Sequence, residues 1–434
     1  MSLRFCELLA NSIDSAAFKL RHFGIFHKNS FVHLPVAGRR IMSDYRIAIL
    51  PGDGTGREVA LEAQKILNTI SDNTNIGFDI TEIACGGQNY NETGEEWADG
   101  SFEFCRDEAD AIFLGAIGHP GAYLKNGDLA GGSVILGLRS GLDLYANVRP
   151  VKLFDGVMHK VHGKFRQIWE PNMVDMTILR ENTEGLYHSL LKRASNRAQG
   201  LGEYKIPEVE FPDLQGEVVY DPRPISSHGT ERLVKMGFEI SKTRNGAPLD
   251  GISRVSCIDK SNVTRGCQLF RRTFDKVAAN YPDIATDYGY IDAFTQWLTR
   301  TPEHYDVVVT SNMFGDIATD LASVLQGGMG MAGSGNIGDS HAFFEPVHGS
   351  APKYAGMNKV NPIASVNSIQ MMMDWLGRKN NSQEILDVAN AIEQSVSGHL
   401  AEGKYLTYDL GGDASCSAVG DMISARLGKI LGEN

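Results

Sequence analysis

Two aspartates, Asp316 and Asp320, stand four residues apart in the segment Asn-Met-Phe-Gly-Asp-Ile-Ala-Thr-Asp. If this segment is helical, as we expect, both carboxylates lie on one helix face. Like charges at this spacing destabilise a helix by about 0.2–0.5 kcal/mol unless a cation lies between them. Carboxylate oxygens suit Mg²⁺ or Mn²⁺ better than Zn²⁺. Taken alone, the spacing is more typical of a solvated acidic helix face.

A second motif, Phe-Glu-Pro-Val-His-Gly-Ser-Ala-Pro-Lys-Tyr, follows between Phe344 and Tyr354. An acidic helix followed by a His-Gly-Ser turn, in this order along the chain, is far more specific to one protein family than either motif alone. From about Tyr45 to its C-terminus the chain resembles the isocitrate/isopropylmalate dehydrogenase family, the metal-dependent β-hydroxyacid oxidative decarboxylases, and within it the 3-isopropylmalate dehydrogenase-like members. The resemblance implies an α/β fold of the isopropylmalate/isocitrate dehydrogenase type, with the active site in a cleft between two α/β domains.

The elements that must position these motifs are short apolar strands bounded by turns. Residues 46–50 are predicted to form a strand, followed by the glycine-rich turn 51–56 and an amphipathic helix through residue 70. Residues 111–117 and 307–310 are two further predicted strands. Alternating strands and helices predict a largely parallel sheet. The G-x-G-x-G spacing of the turn does not fit a dinucleotide-binding loop, so we reject a Rossmann fold.

A chain of 434 residues exceeds the size of a single core, which predicts two domains. The resemblance assigns 44–144 plus 327–434 to a large cofactor-binding domain and 145–326 to a small domain for dimerisation, metal and substrate. Residues 1–43 are interpreted as an N-terminal extension that contributes little to the active site. The first 41 residues carry six Lys or Arg against two acidic residues, which loosely resembles an organelle transit peptide, but we favour Met42 as the natural start.

Composition limits the classes of partner and compartment. A net charge of −12 argues against nucleic acid, and 42% hydrophobic with 22% charged residues is typical of a globular protein. Six scattered cysteines without metal-ligand spacing indicate a reduced, intracellular protein, and no apolar run is long enough to cross a membrane. We expect a cytoplasmic protein, or an organellar one if the extension is a transit peptide.

Three arginines, Arg139, Arg149 and Arg180, indicate the substrate. Guanidinium groups bind carboxylates bidentately, so several in one site suit a dicarboxylate. The resemblance gives them the positions of the arginines that hold the malate moiety of the substrate.

The same resemblance assigns an acid–base pair, Tyr187 and Lys260, and a third metal carboxylate, Asp292. Lys260 would accept the proton of the 2-hydroxyl as hydride passes to the nicotinamide ring. Loss of CO₂ would follow, and Tyr187 would supply the proton that completes the 2-oxo acid. In relatives the aspartate and the lysine reach into the neighbouring subunit's site, which implies a homodimer.

Residues of the second motif and the C-terminal part are predicted to bind the cofactor. Lys353 and Tyr354 replace the aspartate of NAD-using relatives, which favours NADP, with NAD as the alternative. Gly412 departs from this pattern, because NADP-using relatives have an arginine there. The predicted cofactor-binding residues are Glu345, His348, Gly349, Ser350, Ala351, Lys353, Tyr354, Val360, Asn361 and Tyr408.

In the family, substrates differ in the substituent on the malate core. We expect this substituent to contact the helix that ends at Arg139. Ile135 and Leu136 suit an alkyl group, and Val263 is also isopropylmalate-like. Ser133 agrees with isocitrate-using relatives, and Arg265 is an unexpected cation that could meet an anionic group. A 3-isopropylmalate-like substrate is favoured. Isocitrate or homoisocitrate, tartrate or D-malate, and a non-catalytic regulatory subunit remain as alternatives.

Overall fold

The computed structural model describes residues 43–433. The predicted N-terminal extension lies outside the described residues, except for Ser43, where the first strand begins. The strands are β1 (Ser43–Gly52), β2 (Ile76–Glu82), β3 (Ala111–Ala116), β4 (Ala146–Lys152), β5 (His159–Val161), β6 (Lys164–Arg166), β7 (Asp175–Glu181), β8 (Arg254–Asp259), β9 (Ala285–Tyr290), β10 (Val307–Thr310), β11 (Gly333–Ile337) and β12 (Ala342–Pro346). The α-helices are α1 (Gly56–Asn73), α2 (Gly87–Thr93), α3 (Ser101–Asp107), α4 (Gly132–Gly141), α5 (His188–Ala198), α6 (Ser227–Lys242), α7 (Arg265–Ala278), α8 (Ile291–Arg300), α9 (Asn312–Ser323), α10 (Ile363–Lys379), α11 (Gln383–Glu402) and α12 (Cys416–Gly432).

The predicted local elements are confirmed. The three predicted strands are β1, β3 and β10, and α1 follows the glycine-rich turn. Every residue of β3 and of β10 is buried, as expected for strands covered on both faces. The segment that contains Asp316 and Asp320 is helical, as α9. The helix of the first arginine continues two residues past Arg139, to Gly141.

Ten strands form one mixed sheet in the order β2-β1-β3-β12-β11-β4-β7-β10-β8-β9. The predicted parallel pairing is confirmed at both ends of the sheet, where β2-β1-β3-β12 and β7-β10-β8-β9 are parallel. In the middle, β11 is antiparallel to β12 and β4, and β4 is antiparallel to β7. The fold is therefore α/β, with helices on both faces of a large central sheet.

The described residues belong to one compact unit. In the ten-stranded sheet, β1, β2, β3, β11 and β12 occupy one half, and β4, β7, β8, β9 and β10, from residues 145–326, occupy the other half. β5 and β6 form a separate two-stranded sheet. The predicted division into two domains at these boundaries stays a prediction. The five cysteines in the described part of the chain are buried thiols. Among residues 43–433, no helix is long and apolar enough to cross a membrane.

Candidate active site

The predicted metal helix begins at the same sheet edge where the third arginine lies. β7 and β10 are parallel, and Arg180 at the end of β7 is level with Thr310 at the end of β10. Ser311 then joins β10 to α9, so the first turns of α9 pass over Arg180. A Cβ atom on Gly315 would lie 2.6 Å from the Arg180 side chain, so glycine allows this close approach.

Arg180 is held from two sides by α9. Its Nε and Nη2 donate to Oδ1 of Asn312 at 3.0 and 2.8 Å, and its Nη1 pairs with the Asp316 carboxylate. Nδ2 of Asn312 donates to the carbonyl oxygen of Glu184 at 2.8 Å, which fixes the orientation of the amide. The Arg180 side chain is 3% exposed, so these contacts replace nearly all of the hydration of its guanidinium group.

Arg149 approaches α9 from the antiparallel neighbour, β4. Asn147 is the residue level with Arg180, and its Oδ1 accepts from Nε of Arg149 at 2.7 Å. Nη1 of Arg149 donates to the Thr319 hydroxyl and lies 3.5 Å from the Asp320 carboxylate. Two predicted substrate arginines and two predicted metal aspartates are therefore brought together from three elements.

Arg139 reaches the same region from α4. Its Nη2 donates to Oε1 of Glu345 at 2.8 Å, whereas its Nε is buried without a partner among the described residues. Oε1 of Glu345 also accepts from Nδ2 of Asn336 at 2.9 Å. The predicted cofactor residue Glu345 therefore has a direct contact with a predicted substrate arginine.

Burial and mutual repulsion act on this group of cations. Burial, followed by the positive charge of Arg139, lowers the pKa of Arg180 to about 9. The same two causes, in the same order, lower the pKa of Arg149. Three buried guanidinium groups this close favour an anion between them, because an anion would offset both the desolvation and the repulsion.

Tyr187 lies beside the metal helix. Its hydroxyl donates to Oδ2 of Asp316 at 3.1 Å, and its ring lies 5.6 Å from the Arg180 guanidinium. Burial raises the pKa of Tyr187, and the negative charge of Asp316 raises it further. The phenol is therefore protonated at neutral pH, as a proton donor must be.

Lys260 and Asp292 form a separate pair. Asp259 and Tyr290 are level at the ends of the parallel strands β8 and β9, so the residues that follow them are neighbours. Lys260 donates to the Asp292 carboxylate, and this bond is the main cause of the lowered pKa of Asp292. No group of three or more His, Cys, Asp or Glu side chains within residues 43–433 could hold a metal ion. Asp292 is therefore not gathered with Asp316 and Asp320 within one chain.

The donor atoms on α9 fit a hard divalent cation. Desolvation raises the pKa of Asp320, which Arg149 lowers and Asp316 raises again. A cation at the two carboxylates would relieve their repulsion, and two carboxylates with water and substrate oxygens form a common Mg²⁺ site. Such a cation would also compete with Arg180 and Arg149 for these carboxylates and release the guanidinium groups to a substrate.

The predicted cofactor turn is fixed by the glycine-rich turn after β1. The Ser350 carbonyl accepts from the backbone N–H of Thr55 at 2.9 Å and from its hydroxyl at 3.0 Å. The buried Asp53 carboxylate accepts from the N–H groups of Gly87, Gln88 and Gly118 at 2.8–2.9 Å. The role of the glycine-rich turn is thus to hold loops in place.

Two features of the cofactor turn fit a nucleotide. Nδ1 of His348 donates to the Gly349 carbonyl at 3.1 Å, and its Nε2 is a buried acceptor without a partner among the described residues. Burial lowers the pKa of His348, so the ring is neutral. Ala351 has a φ of 37°, and exposed Gly349 leaves the backbone open to close approach by a ligand.

Four side chains from the cofactor segments form what we term the tyrosine–lysine cluster: Lys353, Tyr354, Lys359 and Tyr408. The rings of Tyr354 and Tyr408 have centroids 5.6 Å apart. Val360 is buried against Tyr354, Val59 and Cys416. Nδ2 of buried Asn361 donates to the Asp409 carboxylate at 3.1 Å.

The predicted substrate-pocket residues are less closely grouped. On α4, Ser133 is buried, whereas Ile135 and Leu136 are half-buried. Val263 is 67% exposed in this chain. Nη1 of Arg265 donates to Oε1 of Gln268 at 3.0 Å within α7, and the residue has no ion pair in the described part of the chain.

Asn312, Thr319 and Asn147 were not predicted as site residues, although each contacts a buried arginine. Asn312 and Thr319 belong to the acidic motif, and their positions on the face of Asp316 were a usable signal. Asn147 is two residues before Arg149 on a strand, and side chains at that spacing share a face.

Comparisons with known proteins identify the family of this chain. The model of the isocitrate/isopropylmalate dehydrogenase family matches residues 46–423. The 3-isopropylmalate dehydrogenase of Moorella thermoacetica is 35% identical over 367 residues, which are 84% of this chain and 93% of that protein. The 3-isopropylmalate dehydrogenase of Thermobifida fusca is 35% identical over 386 residues, which are 88% and 97% of the two chains.

Solved structures show the same fold. The isocitrate dehydrogenase of Methylococcus capsulatus has a TM-score of 0.71 at 27% identity and covers 88% of this chain and 99% of its own. A β-decarboxylating dehydrogenase from Thermococcus kodakarensis has a TM-score of 0.66 at 33% identity and covers 89% and 97%. The family model, the relatives and the fold all lead to one conclusion: this chain belongs to the isocitrate/isopropylmalate dehydrogenase family.

Proposed function

We propose that the protein is a metal-dependent, NADP-using dehydrogenase that oxidatively decarboxylates a D-malate-type 2-hydroxy dicarboxylate, most closely 3-isopropylmalate. The observation that carries this proposal is the group of three buried arginines, two of which pair with the aspartates of α9. A dicarboxylate would neutralise the guanidinium groups, and a divalent cation would neutralise the aspartates.

Mg²⁺ or Mn²⁺ would be held by Asp316 and Asp320, with Asp292 from a second copy of the chain. When bound, the ion would act as a Lewis acid on the substrate's oxygen atoms. The protein's own contribution is to orient the substrate through Arg139, Arg149 and Arg180. Their rigid bonds to buried partners leave little side-chain entropy to lose on binding.

Two side chains move the protons. The Tyr187 hydroxyl donates, because burial and the negative charge of Asp316 keep it protonated. Lys260 would accept the proton of the substrate's 2-hydroxyl as a neutral amine. In this chain its ammonium group pairs with Asp292, and a metal ion held by Asp292 would draw the carboxylate away and favour the neutral amine. Both roles require that Lys260 and Tyr187 meet in one site.

We further propose a homodimer with shared sites. Lys260 and Asp292 form their own pair, apart from the carboxylates of α9. Large apolar side chains are exposed on α8, on α9 and immediately after α9, and the two helices pack against each other. Trp297 is 49% exposed, Ile317 56% and Val324 47%. A second copy covering this face would bury these side chains and bring its own Lys260 and Asp292 to the site.

A mixing experiment tests the shared site. Lys260→Met and Tyr187→Phe homodimers should each be inactive. Mixing the two variants under conditions of subunit exchange should restore roughly a quarter of wild-type activity. After exchange, half of the dimers are heterodimers, and each heterodimer has one intact site of two. Native mass spectrometry of the mixture, which detects the heterodimer directly, is the control for exchange. Exchange without restored activity would show that each chain forms its own complete site.

The substrate proposal rests on the α4 side chains. Ile135 and Leu136 offer an apolar surface near Arg139, which suits an alkyl substituent. The relatives named 3-isopropylmalate dehydrogenase support the same substrate class. Isocitrate, homoisocitrate, tartrate and D-malate are the competing substrates.

The test is a rate assay of purified full-length protein with Mg²⁺ or Mn²⁺. Initial rates are measured with 3-isopropylmalate, isocitrate, homoisocitrate, tartrate and D-malate, each with NADP⁺ and with NAD⁺. We expect the highest kcat/KM with 3-isopropylmalate and NADP⁺, and loss of the rate in excess EDTA. A preference for isocitrate would refute the alkyl pocket. No turnover of any substrate would favour a regulatory subunit instead.

A further inference from the structure

Lys359 stands out in the tyrosine–lysine cluster, because no motif drew attention to it. Its Nζ lies 5.1 Å from the ring centroid of Tyr408 and 5.9 Å from that of Tyr354. Lys353 approaches the Tyr354 ring from its own position, at 4.7 Å. The two aromatic rings therefore carry two ammonium groups at one exposed place on the surface.

These two lysines are an excess of positive charge. Neither forms an ion pair with an Asp or Glu side chain in the part of the chain that the structure describes. Hydrogen bonding with Lys353 is the main cause of the lowered pKa of Tyr354, and the positive charge of Lys359 adds to the effect. A cation lowers the pKa of a phenol because it stabilises the phenolate. The same cations would stabilise a bound anion.

The backbone fixes Lys359 on both sides. The carbonyl of Asn358 accepts from the N–H of Cys416 at 2.9 Å, and Oδ1 of Asn358 accepts from the N–H of Ser417 at 2.9 Å. The next residue, Val360, is buried. The backbone therefore places the Lys359 side chain beside both rings.

Position 412 cannot provide a cation in this backbone. A Cβ atom on Gly412 would lie 2.0 Å from the carbonyl oxygen of Leu406. The N–H of Gly412 donates to the Thr407 carbonyl at 3.0 Å, which holds this close approach. An arginine side chain is therefore excluded at Gly412 unless the turn after Tyr408 changes.

We propose that Lys359 supplies the second cation for the phosphate group on the 2′-position of the adenosine ribose, in place of a side chain at position 412. Lys353 and Lys359 approach the anion from two directions, and Tyr354 and Tyr408 donate hydroxyl hydrogen bonds beside them. This inference rests on the proposed use of NADP, and it adds a specificity-determining residue to that use.

Calorimetry with two nucleotide fragments separates the inference from the proposed function. Adenosine 2′,5′-bisphosphate carries the 2′-phosphate and adenosine 5′-monophosphate lacks it. In wild-type protein, we expect the bisphosphate to bind more tightly. In Lys359→Met, bisphosphate binding should weaken about tenfold and monophosphate binding should change less than twofold.

A matched variant controls for the general loss of a surface charge. Lys242 is the last residue of α6, and its Nζ lies 4.7 Å from the ring centroid of Tyr281. Lys242→Met therefore removes a lysine that contacts a tyrosine ring elsewhere on the surface. It should leave the binding of both fragments unchanged. Thermal unfolding of each variant confirms that the fold is retained.

Each result has one meaning. If wild-type protein does not prefer the bisphosphate, the proposed use of NADP is wrong. If wild-type protein prefers it and Lys359→Met binds it equally well, the inference about Lys359 is wrong while the proposed cofactor stands. An equal loss of both fragments in Lys359→Met would assign the lysine a structural role and would also overturn the inference.

Discussion

Replacing Asn312 with alanine should destabilise the protein more than any exposed asparagine could. The amide of Asn312 accepts two hydrogen bonds from Arg180, at 3.0 and 2.8 Å, and donates one to Glu184 at 2.8 Å. A hydrogen bond to a charged group contributes about 1.5–3 kcal/mol and a neutral one about 1 kcal/mol. The two Arg180 bonds share one acceptor, and Asp316 still holds the guanidinium, so we count them once. The expected fall in the free energy of unfolding is about 3 kcal/mol.

The assay is urea unfolding of the full chain, followed by circular dichroism, with extrapolation to zero denaturant. Asn280→Ala is the matched control. Its amide donates to the carbonyls of Lys276 and Val277, at 3.5 and 3.2 Å, near the exposed end of α7. The control should change the free energy of unfolding by less than about 0.5 kcal/mol. Asn312→Ala should also raise KM for the substrate, since Arg180 loses the partner that orients it.

In Asn312→Ala, two N–H groups of the buried Arg180 guanidinium lose their shared acceptor, which should cost more than about 1 kcal/mol. A smaller fall in the free energy of unfolding would refute the reasoning. Such a result would mean that Asp316 or solvent satisfies Arg180 without the amide. Unchanged KM together with a large loss of stability would assign Asn312 to the fold and not to substrate orientation.

Three further predictions concern the metal, a buried carboxyl group and the dimer. Mg²⁺ at a hundred times its dissociation constant should stabilise wild-type protein by about 2.7 kcal/mol. In a thermal-shift assay, Asp320→Asn should lose most of this stabilisation, whereas the control Asp421→Asn should keep it. Burial raises the pKa of Glu181 from 4.5 to about 7, so the folded state favours the protonated carboxyl group. The stability that this preference contributes is fully present below pH 4.5. It is lost as pH rises through 7, and the free energy of unfolding falls by about 3 kcal/mol. Glu181→Gln should flatten the dependence of the free energy of unfolding on pH in this window, and parallel curves for the two proteins would contradict the assignment. Trp297→Asp should shift the protein toward monomer in sedimentation and lower its activity, whereas Leu61→Asp, on exposed α1 surface, should do neither.

The local spacing of residues was enough to predict the elements that carry the site. The burial of β3 and β10, the helix of Asp316 and Asp320, and the turn before α1 were all predicted from short stretches of sequence, and the structure confirms them. Periodicity and turn residues are properties of neighbours in the chain, so a single segment contains the information. The antiparallel centre of the sheet was not predicted, because strand pairing there joins residues far apart in sequence.

The sequence by itself also determined the family and was enough to predict the chemical types of the candidate site residues: three arginines, a tyrosine, a lysine and the carboxylates. Only the tertiary structure decided which of them meet. Arg180 and Asn312 are 132 positions apart, and Arg139 and Glu345 are 206 apart, yet each pair is in direct contact. The same holds for Lys260 and Asp292, which pair with each other and stay apart from α9. Such contacts depend on strand register and on the path of each helix over the sheet, and no motif of neighbouring residues encodes either of these.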